Sequence, residues 1–129
     1  MSMERNISME IQKKMLVVDD NHYNTAIAEE LFSKHYDLRA DMTGKEALKI
    51  AMDFRPDIIL LDIMLPDTSG YHVCRQLRKC HALTDTKIIM VTAKGALEDR
   101  VEGYEVGAND YIVKPFDAES LLESVESFR

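Results

Sequence analysis

The stretch RPDIILLDIMLPDTSG, residues 55–70, contains an unbroken apolar run, Ile58-Ile59-Leu60-Leu61, that ends in one carboxylate, Asp62. No polar residue alternates within the run, the pattern of a strand buried on both faces of a parallel sheet and flanked by helices. A carboxylate just past such a run sits at the C-terminal edge of the sheet, where open α/β folds place their ligand crevices. Taken alone, Asp62 is better explained as the start of a turn with Pro66, Asp67 and Gly70. The case for chemistry therefore rests on what other strand ends bring to the same edge.

On the N-terminal side, Met15-Leu16-Val17-Val18 forms a second continuous run, and it stops at Asp19-Asp20. Tyr23, Ala26, Ile27 and Leu31 then recur at helical spacing, predicting a helix to about His35 with those residues as its apolar face. Residues 37–41 alternate polar and apolar, as in an edge strand. Thr43 and Glu46 have capping-box spacing and open a helix with Ala47, Leu48 and Ala51 on its inner face. On the C-terminal side, Val73, Cys74, Leu77 and Cys80 mark the next helix. Ile88-Ile89-Met90-Val91 is a fourth strand ending at Thr92. A thin line of Leu97, Val101 and Tyr104, interrupted by Gly103, predicts a weakly held helix over 97–106. Tyr111-Ile112-Val113 is a short fifth strand ending at Lys114-Pro115, and Asp117 caps a last helix with Leu121, Leu122, Val125 and Phe128 inside.

Strands alternating with helices predict an α/β fold with a doubly wound five-stranded parallel sheet and helices on both faces. Strand order 2-1-3-4-5 puts the two weakest strands at the edges and the three apolar runs at the centre. It also brings Asp19, Asp20 and Asp62 together at the switch point, joined by Thr92 and Lys114. Three neighbouring carboxylates call for a proton or a cation. Oxygen donors without His or Cys favour Mg2+. Such a site could hold a phosphoryl group, with the Thr92 hydroxyl and the Lys114 ammonium on its oxygens and Asp62 as the nucleophile. Each residue also has an ordinary reading: Asp20 as a helix cap, Thr92 as a strand-end hydroxyl, Lys114 as a surface lysine. Their arrival at one edge is what those separate readings leave unexplained.

With 129 residues, 46% of them hydrophobic, the chain fits one domain, assigned to residues 14–129 after an N-terminal tail of residues 1–13. A formal net charge of −7 argues against direct nucleic-acid or anionic-membrane contact. With no spanning segment or signal core, a cytoplasmic location is expected. Cys74 and Cys80 lie near His72 and His81, but on a helix the two cysteines stand about 9 Å apart along the axis, too far for one metal or an unstrained disulfide.

The sequence resembles the CheY-like receiver domain of two-component response regulators, a flavodoxin-like fold, from about Lys14 to Phe128. The resemblance rests on VVDDN at 17–21, LLDIMLPDTSG at 60–70, VTA at 91–93 and DYIVKPF at 110–116. It implies that Asp62 accepts a phosphoryl group from a histidine kinase or a histidine phosphotransfer protein. Asp19, Asp20, Asp62 and the Met64 carbonyl would hold Mg2+, and Thr92 and Lys114 would bind the phosphoryl group. Thr92 and Tyr111 would form the switch, with the Tyr111 ring moving into space that Thr92 vacates, and the surface of helix 4, strand 5 and helix 5 would control an effector. It implies a cis Lys114-Pro115 bond and no catalysis beyond the domain's own phosphorylation and dephosphorylation.

One departure concerns the last helix, AESLLESVESFR, where Glu119, Glu123 and Glu126 stand in place of the arginines usual in members that dimerise through that surface. No second domain follows, so a stand-alone or an excised receiver is expected. Two alternatives remain: a receiver that docks partners without phosphorylation, and a Mg2+-dependent phosphatase, whose Asp-x-Asp is replaced here by Asp19-Asp20-Asn21. A flavin or nucleotide site lacks its glycine-rich turn after strand one.

Overall fold

Each apolar run forms a strand in the computed structural model, which describes residues 12–128. The strands are β1 (Lys13–Val18), β2 (Tyr36–Asp41), β3 (Ile58–Leu61), β4 (Lys87–Thr92) and β5 (Asp110–Val113). They make one parallel sheet in the order β2-β1-β3-β4-β5, as the sequence predicts. The helices are α1 (His22–Phe32), α2 (Gly44–Phe54), α3 (Gly70–Arg78), α4 (Leu97–Glu105) and α5 (Ala118–Glu126), with a 3-10 turn at His81–Leu83. Most of the tail expected over residues 1–13 lies outside the described residues; Lys13 already belongs to β1.

The strands alternate between two cores. Leu16, Val18, Ile59, Leu61, Ile88, Met90 and Tyr111 face α2, α3 and α4 through Ala47, Ala51, Val73, Cys74, Leu77 and Val106. Met15, Val17, Ile58, Leu60, Ile89 and Val91 face α1 and α5 through Ala28, Phe32, Leu121 and Val125. Because both faces are covered, the central strands need apolar residues at every position. That is why the three middle runs show no alternation.

Two helices are rotated from the expected orientation. In α1 the buried residues are Thr25, Ala28 and Phe32, whereas Tyr23 is 73% exposed and Ala26 is also at the surface. The Phe32 ring meets Tyr36 edge-on at 5.9 Å. Burying that ring against β2 gains more apolar contact than burying Tyr23 at the first turn of the helix. In α4, Leu97, Val101 and Tyr104 are exposed, and Gly103 is the buried residue of the helix. A Cβ on Gly103 would lie 2.8 Å from the Tyr111 ring. The glycine is there because the ring packs flush against the helix backbone, which the thin apolar line gives no hint of.

Boundaries shift by a few residues. α1 stops at Phe32 rather than His35, and α3 stops at Arg78, leaving Cys80 beyond it. Both cysteines are free; the Cys74 thiol donates to the Val106 carbonyl and is pushed up to about 11 by burial, so it acts as a small apolar residue.

Candidate functional site

The parallel ladder continues one residue past the strands. Asp19 N–H donates to the Asp41 carbonyl at 3.0 Å, Asp62 N–H to Val18 at 2.9 Å, and Lys114 N–H to Thr92 at 2.8 Å. Backbone pairing thus holds Asp19, Asp62 and Lys114 at one edge of the sheet before their side chains make any contact. Those side chains then meet. The Lys114 ammonium lies 2.7 Å from Asp19 Oδ2 and 3.0 Å from Asp62 Oδ2, bridging two carboxylates that are both buried. Burial opposes the charge on Lys114, but hydrogen bonds and charge from Asp19 and Asp62 outweigh it and hold the ammonium's pKa above its ordinary value.

Each carboxylate is oriented from its other side. Asp19 accepts from Asn21 N–H at 2.9 Å and from the Asn24 amide at 3.2 Å. Asp62 Oδ1 accepts from Met64 N–H at 3.1 Å. Asp20 is exposed and is not the cap of α1; Asn21 is, accepting from Tyr23 N–H at 2.8 Å. One carboxylate oxygen each from Asp19, Asp20 and Asp62 lies within 4.8 Å of the others. Three carboxylates against one ammonium leave two uncompensated negative charges, and the donors are all hard oxygens. That set fits a divalent cation of the Mg2+ kind.

Thr92 is fully buried at the end of β4, and its Oγ1 accepts from Lys94 N–H at 3.4 Å. The carbonyl of the same residue, Lys94, accepts from the Tyr111 hydroxyl at 2.6 Å. The Tyr111 ring is 6% exposed, so it already lies inside in this structure. A single residue of the β4–α4 loop therefore joins the two proposed switch side chains. The Lys114–Pro115 bond is cis.

In the sequence Gly70 reads only as a turn residue. A Cβ there would lie 2.3 Å from the Asp62 carbonyl oxygen and 2.7 Å from Ile63 Cα. Only glycine lets the start of α3 sit against the backbone that carries Asp62. Asn24, Lys94 and Tyr71, whose hydroxyl donates to the Asp99 carbonyl at 3.0 Å, were also unforeseen. Asn24 lies five residues after Asp19, on the side of α1 facing the site, and that spacing was the available signal.

The model of the response regulator receiver domain family matches residues 15–126. The chain belongs to the response regulator receiver family. Response regulator ArlR of Staphylococcus saprophyticus is 42% identical over 115 residues, covering 88% of this chain and 51% of ArlR. The DNA-binding dual master transcriptional regulator RpaA of Synechocystis is 34% identical, covering 88% of this chain and 48% of RpaA. This receiver thus spans about half the length of these relatives. Among solved structures, the BeF3-activated DrrB receiver domain of Thermotoga maritima superposes with a TM-score of 0.84 at 32% identity, covering 92% of this chain and 97% of that one. Chemotaxis response regulator CheY4 of Vibrio cholerae superposes with a TM-score of 0.86 at 29% identity, covering 92% and 99%. Receivers typically use Mg2+ at their acidic site, and phosphoryl acceptance is the family's standard role. Among the described residues, no helix is long and apolar enough to cross a membrane.

Proposed function

We propose that Asp62 accepts a phosphoryl group from a phosphohistidine on a histidine kinase or phosphotransfer protein. The observation that carries this reading is the Lys114 ammonium held between the Asp19 and Asp62 carboxylates. An Asp62 carboxylate oxygen attacks phosphorus, forming a P–O bond while the donor's P–N bond breaks and the leaving imidazole takes a proton. Lys114 transfers its hydrogen bond from the carboxylate to a phosphoryl oxygen, compensating the charge that moves there. The Thr92 hydroxyl turns from Lys94 N–H to donate to a second phosphoryl oxygen. Asp19, Asp20, Asp62 and the Met64 carbonyl would hold Mg2+, which would supply positive charge beside the carboxylates. Asp19 and Asn24 keep Lys114 in reach. The domain catalyses its own phosphorylation and dephosphorylation and no other reaction.

Loss of the Thr92 hydroxyl from Lys94 N–H changes the loop that also carries the Tyr111 contact. Phosphorylation would in this way favour one placement of the Tyr111 ring, and α4, β5 and α5 would present an altered surface to an effector. The ring's inward position supports a reading in which phosphorylation stabilises that position. The acidic composition argues that residues 12–128 do not themselves contact nucleic acid, although RpaA, a relative of twice the length, is DNA-binding.

The test is incubation with Mg2+ and acetyl phosphate, followed by intact-mass measurement. A gain of one phosphoryl group, labile to hydroxylamine as an acyl phosphate is, is the expected result. Persistence of the gain in Asp62→Ala would place the nucleophile elsewhere. Asp20→Ala is expected to remove the Mg2+ dependence while leaving the circular dichroism spectrum unchanged, since Asp20 is exposed.

A further inference from the structure

The exposed face of α4 has a composition that its structural role does not require. Leu97, Val101 and Tyr104 are 73%, 46% and 49% exposed. At about 100° per residue they fall within about 60° of one another around the helix axis, making one continuous stripe. Glu98, Glu102 and Glu105 form a second row about 100° further round, on the side of α3. There Arg75, on α3, lies 3.8 Å from Glu102 across an open groove lined by Arg75, Leu97, Glu98, Val101, Glu102 and Glu105. Gly103, the buried residue of the helix, points away from both rows. Single exposed apolar residues are ordinary, but three in register beside three carboxylates make a directional surface.

We infer that this face of α4 docks a partner helix whose apolar stripe is bordered on one side by Lys or Arg. The inference rests on the reading of α4 as part of the output surface and adds the chemistry of what it takes. The apolar row runs about 10 Å along the helix, the length over which a second helix can lay its own stripe. The carboxylate row then lies opposite the border of that partner, and three glutamates against one arginine favour a basic border. The Arg75–Glu102 pair is half-exposed, so releasing Glu102 to an incoming cation costs little. A second copy of this chain is the poorer occupant, because its own last helix carries Glu119 and Glu123 at its surface.

The experiment uses two fluorescein-labelled 18-residue amphipathic peptides with the same leucine stripe, one bordered by lysines and the other by glutamates. Anisotropy titration of the protein should show at least tenfold tighter binding of the lysine-bordered peptide. Leu97→Ser/Val101→Ser should weaken that binding at least tenfold. Glu102→Lys/Glu105→Lys, checked for folding by circular dichroism, should reverse the preference. Glu119→Gln/Glu123→Gln should leave it unchanged, which separates the face from general attraction to an acidic protein. Equal affinity for the two peptides, or insensitivity to Leu97→Ser/Val101→Ser, overturns the inference. So does self-association in sedimentation velocity that this double variant abolishes, since the occupant would then be a second copy. Repeating the titration with Mg2+ and acetyl phosphate separates the two readings. Selective binding that phosphorylation leaves unaltered supports this surface and breaks its coupling to Asp62, whereas a phosphorylated protein that binds neither peptide overturns the surface alone.

Discussion

Two glycines and one aspartate show how single residues set the site's geometry. At Gly70 an added methyl would meet backbone atoms that cannot yield. Gly70→Ala is expected to lower stability by about 3 kcal/mol or more, measured by urea unfolding, and to slow phosphorylation by acetyl phosphate by displacing Asp62. Gly103→Ala gains about 1 kcal/mol of helix propensity. It also drives a methyl into the Tyr111 ring, an overpacking cost of about 1–3 kcal/mol, so a net loss is expected with the ring displaced. Asp67 acts at longer range. Its carboxylate accepts from Gly44 and Lys45 N–H at 2.9 Å each, tying the loop after β3 to the start of α2. Those two bonds hold its pKa below the ordinary 3.8. A depressed folded-state pKa means that the contribution is present above the unfolded value and lost as pH falls through the folded one. The urea midpoint of Asp67→Asn should therefore lie below the parent's at pH 7, with the gap closing below about pH 4.

At the scale of elements, α4 is held chiefly by its neighbours rather than by an apolar face of its own. Arg78, at the end of α3, donates to the carbonyls of Gly107, Leu83 and Thr86 and to Asn109 Oδ1, fastening the α4–β5 turn to the entrance of β4. A planar guanidinium reaches these acceptors together, and a lysine cannot. Arg78→Lys is expected to cost about 2–3 kcal/mol. Hydrogen exchange should then accelerate at residues 104–110 and remain unchanged in β1. The rotations of α1 and α4 have the same origin. Hydrophobic periodicity says which residues are apolar, but a helix turns toward the neighbour offering the most burial. For α1 that neighbour is Tyr36, and for α4 it is the Tyr111 ring.

For the whole molecule, the proposed route runs from Asp62 through Thr92 and the Lys94 backbone to Tyr111 and α4. Addition of beryllofluoride and Mg2+ should therefore give the largest NMR shifts in residues 92–116. Thr92→Val keeps the shape and removes the hydroxyl, so shifts beyond the neighbours of Asp62 should disappear in that variant. Shifts confined to those neighbours in the parent protein would break the route. The central sheet should stay fixed in either case, because its strands are buried on both faces and pair along their length.

The sequence alone determined the sheet, its strand order and the edge at which the polar strand-end residues collect. Short, β-branched apolar runs without alternation suit strands covered on both faces, and each of those runs ends at a polar residue that pairing carries to the same edge. Asp19, Asp62, Thr92 and Lys114 were legible for that reason. Tertiary structure decided the contacts between side chains far apart in the chain. The ammonium of Lys114 sits on a carboxylate 95 residues earlier, and the Tyr111 hydroxyl rests on a carbonyl 17 residues before it. Periodicity describes one element at a time. The Gly70 and Gly103 contacts, the outward stripe of α4 and the Lys94 link depend instead on how two or three elements approach one another, which only packing in three dimensions decides.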